Sequence, residues 1–136
     1  MEEIKDYSFD DNDYGIEYRI ALAYIHSQLS NESLAVGDVA KKVTLTLGKL
    51  EEIFKELSGE TVIHCILRLR LEKAAKLLKE TKAAVNKIAF SVGFTDMPYF
   101  NRAFKKHFGV KPLAIRKKDN LFPKKDNIFP KKDYLL

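Results

Sequence analysis

A pattern of about sixteen residues occurs twice in this chain, and that duplication restricts the fold more than any other feature of the sequence. Ala40-x-x-Val43-Thr44-Leu45-Thr46, followed by Leu50 and Ile53-Phe54-Lys55, is matched by Ala89-x-x-Val92-Gly93-Phe94-Thr95, followed by Phe100 and Ala103-Phe104-Lys105. The second copy is one residue longer before Phe100. In each copy a short helical stretch, 36–43 or Val85–Val92, stops at a turn. A longer amphipathic stretch then runs to a glycine, Gly59 or Gly109, that suits a helix C-terminus. A two-helix unit repeated at a period of about 50 residues is more specific than either unit by itself.

The segments around the copies complete a helical reading. Thr61 is the expected N-cap of a long helix through about Lys79, with Ile63, Leu67, Leu71, Ala74 and Leu78 on its apolar stripe and Arg68, Glu72, Lys76 and Lys79 opposite. Residues 14–29 place Ile20, Ala23, Tyr24 and Leu29 at helical spacing, and Pro112 suits the first turn of a last short helix to about Lys118. Thr46 and Thr95 are the expected caps of the two longer repeat helices. The expected fold class is all-α, with two helix-turn-helix subdomains joined by a long linker helix and about seven helices in all. The expected divisions are an acidic arm (1–13), the first subdomain (14–60), the linker helix (61–80), the second subdomain (81–118) and a repeated tail (119–136).

Composition agrees with helices and narrows the function. Six Gly and four Pro leave little for the turns of an all-β fold, while 46% hydrophobic residues, with 9 Phe and 6 Tyr, suffice for a core. At 136 residues there is room for one domain or two small subdomains, and none is expected for a separate sensory domain. Short apolar runs and an acidic start without a basic-then-apolar leader predict a cytoplasmic protein that does not enter membranes. Cys65 has no second cysteine to pair with, and His26, His64 and His107 lack zinc-site spacing, so neither metal nor cofactor is expected. Cys65 and the histidines read as packing or surface residues rather than as redox or proton switches. Without a nucleophile beside a base, a phosphate-cradling loop or a carboxylate pair, an enzyme is not expected.

Charge is distributed unevenly. Residues 1–18 carry seven acids against Lys5, a net −6, whereas residues 85–118 carry eight bases against Asp96, a net +7. A basic segment this concentrated attracts polyanions, and phosphate neutralisation supplies much of any nucleic-acid affinity. Taken alone, the lysines read more readily as a solvated face than as a nucleic-acid contact.

In a helix-turn-helix the first helix needs a small residue where the second crosses it, the turn needs a positive φ, and the second helix reads bases from its N-terminal part. Ala89, Gly93 and Thr95 meet these demands, with Phe94, Phe100, Ala103, Phe104 and Phe108 facing the core. Met97, Pro98, Tyr99, Asn101 and Arg102 then form the expected reading face. Arg102 can present a bidentate fork to guanine and Asn101 can read adenine. Lys87, Lys105, Lys106 and Lys117 are expected on phosphates, which position without specifying. Asp96 is expected to complement the helix dipole.

The run Ile88-Ala89-Phe90-Ser91-Val92-Gly93-Phe94-Thr95-Asp96-Met97-Pro98-Tyr99-Phe100-Asn101-Arg102-Ala103-Phe104-Lys105-Lys106-His107-Phe108-Gly109-Val110-Lys111-Pro112 resembles the C-terminal signature of the AraC/XylS family of bacterial transcription regulators. Arg68 to Leu78 is similar to that family's linker helix, and the resemblance covers about residues 17–118. It implies two recognition helices offered to successive major grooves of double-stranded promoter DNA, and activation or repression through contact with RNA polymerase. A monomer is expected, since no dimerisation heptad is visible.

The first copy departs from the pattern. Thr44 stands at the turn position of Gly93, and Gly48, Lys49, Glu51 and Glu52 are the candidate base readers there, with Lys41 and Lys42 on phosphates. Carboxylates facing phosphates are repelled, though one can accept from the cytosine amino group. Residues 36–60 sum to −1, so the first unit is expected to contribute weakly. Cys65 and Ile115 stand where the family often has aromatics, as core substitutions. The alternative function is a protein-interaction module on the same fold that binds RNA polymerase or titrates another regulator. It is motivated by Glu51, Glu52, the acidic arm and the tail, in which Asp-Asn-(Leu/Ile)-Phe-Pro-Lys-Lys occurs twice from Asp119. Proline in each tail unit blocks a regular helix, so the tail is expected to be extended, or docked through its Leu-Phe and Ile-Phe pairs. Folding of the acidic arm over the second unit as a mask is a further expectation from charge.

Overall fold

The structure, a computed structural model, describes residues 14–118, all helices and connections. The helices are α1 (Gly15–Ser27), α2 (Val36–Lys42), α3 (Leu47–Ser58), α4 (Val62–Glu80), α5 (Val85–Ser91), α6 (Met97–Phe108) and α7 (Pro112–Lys118). No strand occurs among the described residues, which adopt the all-helical class read from the sequence. The expectations for the acidic arm and the Pro/Lys tail fall outside these residues.

The sequence repeat is also a repeat of backbone hydrogen bonds. Leu45 N–H donates to Ala40 O at 2.9 Å, as Phe94 N–H donates to Ala89 O at 3.0 Å; Thr44 N–H reaches Lys41 O and Gly93 N–H reaches Phe90 O. Each short helix therefore closes into the same turn. Thr46 then caps α3, its hydroxyl accepting from Lys49 N–H at 3.1 Å. The corresponding cap of α6 is Asp96, whose Oδ1 accepts from Tyr99 N–H at 3.2 Å, and not the expected Thr95. The single extra residue of the second copy explains this. It lies between turn and helix, so Asp96 takes the place of Thr46, and Phe100 N–H donates to Asp96 O as Leu50 N–H does to Thr46 O. Gly59 and Gly109 end α3 and α6 in the left-handed conformation.

The chain divides into two compact units. The first contains α1, α2, α3 and the opening of α4, and buries Ala21, Ile25, Val39, Leu50, Phe54, Val62, Cys65 and Ile66. Tyr18 meets Phe54 edge to face at 4.9 Å. On α1 the buried stripe is Ala21-Ile25, set one position along from the expected Ile20 and Tyr24; Ile20 is 45% exposed. Leu47 and Leu57 of α3 are likewise exposed, leaving Leu50, Ile53 and Phe54 as its packed face. Thr61 caps α4 as expected, accepting from His64 N–H at 3.2 Å, but Ile63 is 56% exposed because Val62, Cys65 and Ile66 face inward instead.

Among the described residues the second unit comprises Leu29–Ser33 and Leu67–Lys118. Leu71, Ala74, Ala75 and Leu78 of α4 pack with Ile88, Ala89 and Val92 of α5 and with Ile115 of α7. The filling is aromatic: Phe94, Phe100, Phe104 and Phe108 form a ladder with centroid spacings of 4.9, 5.6 and 4.6 Å. Such pairs add about 0.5–1.5 kcal/mol each beyond the area they bury. Aromatic residues at 100, 104 and 108 therefore lock one face of α6 inward and fix the opposite face outward.

Candidate nucleic-acid interface

Alpha-helical periodicity leaves Pro98, Tyr99, Asn101, Arg102, Lys105 and Lys106 of α6 exposed, with Met97 half-buried. The Asp96 cap satisfies one N-terminal N–H of the helix, and Pro98 in the first turn needs no acceptor for its nitrogen. No side-chain hydrogen bond or ion pair within the described residues engages Arg102, Lys105 or Lys106. A guanidinium and two ammonium groups thus stand on one helix face with their donors directed to solvent.

These side chains border a groove of about 940 Å³ between the helices of the second unit. Its lining includes Val85 at the start of α5, Met97 on α6, and Pro112 and Leu113 at the start of α7, together with the polar and cationic Asn86, Asn101, Arg102, Lys105, Lys106 and Lys111. A lining that mixes apolar and cationic groups can take a deoxyribose-phosphate strand, its sugars against carbon and its phosphates against the lysines. Lys87 on α5 and Lys117 on α7 are exposed outside the groove lining. The sequence did not single out Asn86 or Lys111 beside this face; their position just before or inside a helix start was the available signal.

The turn that aims α6 is tightly constrained. Gly93 has φ +105°, and a Cβ there would overlap the Leu29 carbonyl oxygen and stand 2.6 Å from Arg70 Nε. Arg70, on α4, donates from Nε to Leu29 O at 3.0 Å and from Nη2 to Asn31 O at 2.8 Å. Burial lowers its pKa from the usual guanidinium value, opposed by the neighbouring Tyr99 hydroxyl. Arg116 makes a similar clamp, Nε to Leu78 O at 3.0 Å and Nη2 to Ala83 O at 2.7 Å, so one of the bases counted in the charged segment is engaged within the fold. Nothing in the spacing of charges distinguishes these two arginines from surface ones.

The corresponding face of α3 is different in kind. Gly48 is exposed and Glu52 is exposed, but Lys49 lies 3.6 Å from the Glu52 carboxylate and 4.8 Å from the Tyr14 ring centroid. Glu51, expected as a base reader, has its Oε1 on Val62 N–H at 3.0 Å and is half-buried; it caps the start of α4. A carboxylate at a helix N-terminus is held by the unsatisfied N–H groups and the dipole there, which outweigh solvent exposure. Lys41 and Lys42 are exposed on α2, Lys42 reaching over the Tyr24 ring at 5.6 Å. Thr44 occupies the turn with φ +55°, positive like the +105° of Gly93 at the matching position.

Two helix-turn-helix units, one of them with a cationic, outward-facing second helix, define a nucleic-acid-binding domain of tandem type. A helix-turn-helix domain family matches residues 19–118, most of the described chain. The chain is 38% identical over 94 residues to the Msm operon regulatory protein of Streptococcus mutans, covering 69% of this chain and 34% of that protein. It is 33% identical over 101 residues to the probable transcription factor PqrA of Proteus vulgaris, covering 74% of this chain and 83% of that one. Among solved structures, the C-terminal domain of AraT, a response regulator from Geobacillus stearothermophilus, matches with a TM-score of 0.71 and 34% identity over 75% of this chain and 84% of that chain. The chain belongs to the AraC/XylS family of DNA-binding transcription regulators. It spans about a third of the length of several curated relatives, the arabinose operon regulatory protein of Escherichia coli included. Among the described residues no helix is long and apolar enough to cross a membrane, and no cluster of His, Cys, Asp and Glu could hold a metal ion.

Proposed function

We propose that the protein is a sequence-specific transcription regulator that reads promoter DNA mainly with α6. The observation that carries the reading is the set Arg102, Lys105 and Lys106, unengaged among the described residues, on the exposed face of a helix whose opposite face is fixed by Phe100, Phe104 and Phe108. Arg102 reads guanine, Asn101 adenine, and Met97, Pro98 and Tyr99 contact thymine methyl groups or sugar. Lys87, Lys105, Lys106, Lys111 and Lys117 hold phosphates. The first unit contributes less: Lys49 and Glu52 neutralise one another and Glu51 is engaged at α4, leaving Gly48, Lys41 and Lys42 to approach the backbone. The protein acts as a cytoplasmic monomer without metal or enzymatic turnover, and its effect on transcription passes through RNA polymerase.

Selection of bound sequences from a random duplex pool by the full chain tests this. The expected result is one asymmetric motif spanning two adjacent major grooves, bound with an affinity that falls steeply with salt. Enrichment of no motif at moderate salt contradicts it and favours a protein-interaction module, for which the neutralised face of α3 is the motivating observation.

A further inference from the structure

We propose that Arg70 is a positioning residue for sequence reading: by holding the 29–31 backbone under the Gly93 turn, it sets how the first turn of α6 meets DNA. The inference rests on the DNA-reading function of α6 and names a residue that lies outside that helix.

Arg70 has no evident task on the DNA-facing surface. Its guanidinium is committed to two main-chain carbonyls, Leu29 O at 3.0 Å and Asn31 O at 2.8 Å. A planar fork can serve two acceptors at fixed angles, which a single ammonium cannot reproduce. The turn of the second helix-turn-helix closes on this clamp: Gly93 is buried, and a side chain there would overlap Leu29 O and lie 2.6 Å from Nε and 2.8 Å from Cζ of Arg70. Bare Cα, carbonyl and guanidinium therefore form one packed contact, all within the second unit. From that contact one link leads into α6. Phe94, the next residue, is buried and its ring lies 6.1 Å from that of Tyr99. Tyr99 belongs to the first turn of α6, the part that enters the groove. Arg102, one turn further along, has no such link to the clamp.

The arrangement predicts a split effect, which separates positioning from general stability. With the full chain, affinity is measured for the selected duplex, for each single-base variant of it and for random-sequence duplex over a range of salt, using wild type, Arg70→Ala and Arg70→Lys, with thermal melts of each. Discrimination at the base pairs facing Met97 to Tyr99 should fall about tenfold, the scale of one good base contact, while discrimination at the pair facing Arg102 persists. Affinity for random duplex and its salt slope should stay at the wild-type level. Arg70→Lys keeps the charge and stem, so it carries the test if Arg70→Ala does not fold; it should show the same split in smaller degree. A salt slope reduced by about one would make Arg70 a phosphate contact and overturn the proposal. So would an equal loss at every base pair that follows the melting temperature. Unaltered discrimination by Arg70→Ala removes this proposal alone, whereas a wild type that discriminates no duplex removes the reading on which it rests.

Discussion

Thr44 and Gly93 occupy the same place in the two turns and carry different loads. Both have positive φ, +55° and +105°, but a β-branched residue is poorly suited to that conformation and glycine is indifferent to it. Thr44 offsets part of the cost with a 2.6 Å hydrogen bond from its hydroxyl to Val43 O. Left-handed backbone costs an L-residue roughly 1–2 kcal/mol, and glycine costs about 0.5–1 kcal/mol in added chain entropy. Thr44→Gly is therefore expected to raise stability slightly, by up to about 1 kcal/mol in urea unfolding. Gly93→Ala is expected to lose more than the roughly 1–3 kcal/mol of a strained backbone conformation, since its Cβ also meets Leu29 O and Arg70. Equal tolerance of side chains at both turns would show that the close approach at Gly93 is not limiting.

At the scale of the helix, capping separates what could be read in advance from what could not. The Thr46 and Thr61 caps, the terminating glycines and the inward face of α6 were legible because each depends on neighbours within a few residues. The cap of α6 was misplaced by one residue because the inserted position in the second copy lay between two residues that can both cap, Thr95 and Asp96. The stripes of α1 and α4 were misjudged at Ile20 and Ile63, since both helices carry more apolar residues than one face can bury and only packing selects among them. Glu51 was legible only as a charge. Its partner Val62 N–H is eleven residues away, across the turn between α3 and α4, and no local pattern announces that contact. The same holds for Arg70 and Arg116, whose acceptors lie 33 to 41 residues distant. Replacing Glu51 by Ala leaves a part-buried N–H without its acceptor and is expected to cost about 1 kcal/mol, whereas Glu52→Ala should stay within roughly 0.5 kcal/mol. Matching destabilisation by the two substitutions would argue that Glu51 does not cap α4.

Over the whole molecule, duplication of the fold has not brought duplication of the surface. The segment 85–118 sums to +7 and the segment 36–60 to −1. In the second unit α6 offers Arg102, Lys105 and Lys106 beside a groove of about 940 Å³; in the first, two of the three acids of α3 are engaged, Glu52 by Lys49 and Glu51 at the start of α4. Fold and family were open to sequence reasoning because the repeat and the run from Ile88 to Pro112 are long, contiguous signals. The proposed division of labour between the two units was legible only in part, because it rests on which charges are engaged among the described residues.

That division is the central claim, and single-base variants of the selected duplex test it most directly with Arg102→Ala and Glu52→Ala proteins. Arg102→Ala should abolish preference at one base pair, a loss of roughly 1–3 kcal/mol, and leave the other positions discriminated, while Glu52→Ala leaves the whole profile in place. A uniform loss with Arg102→Ala, or a base preference altered by Glu52→Ala, would contradict the assignment of reading to α6.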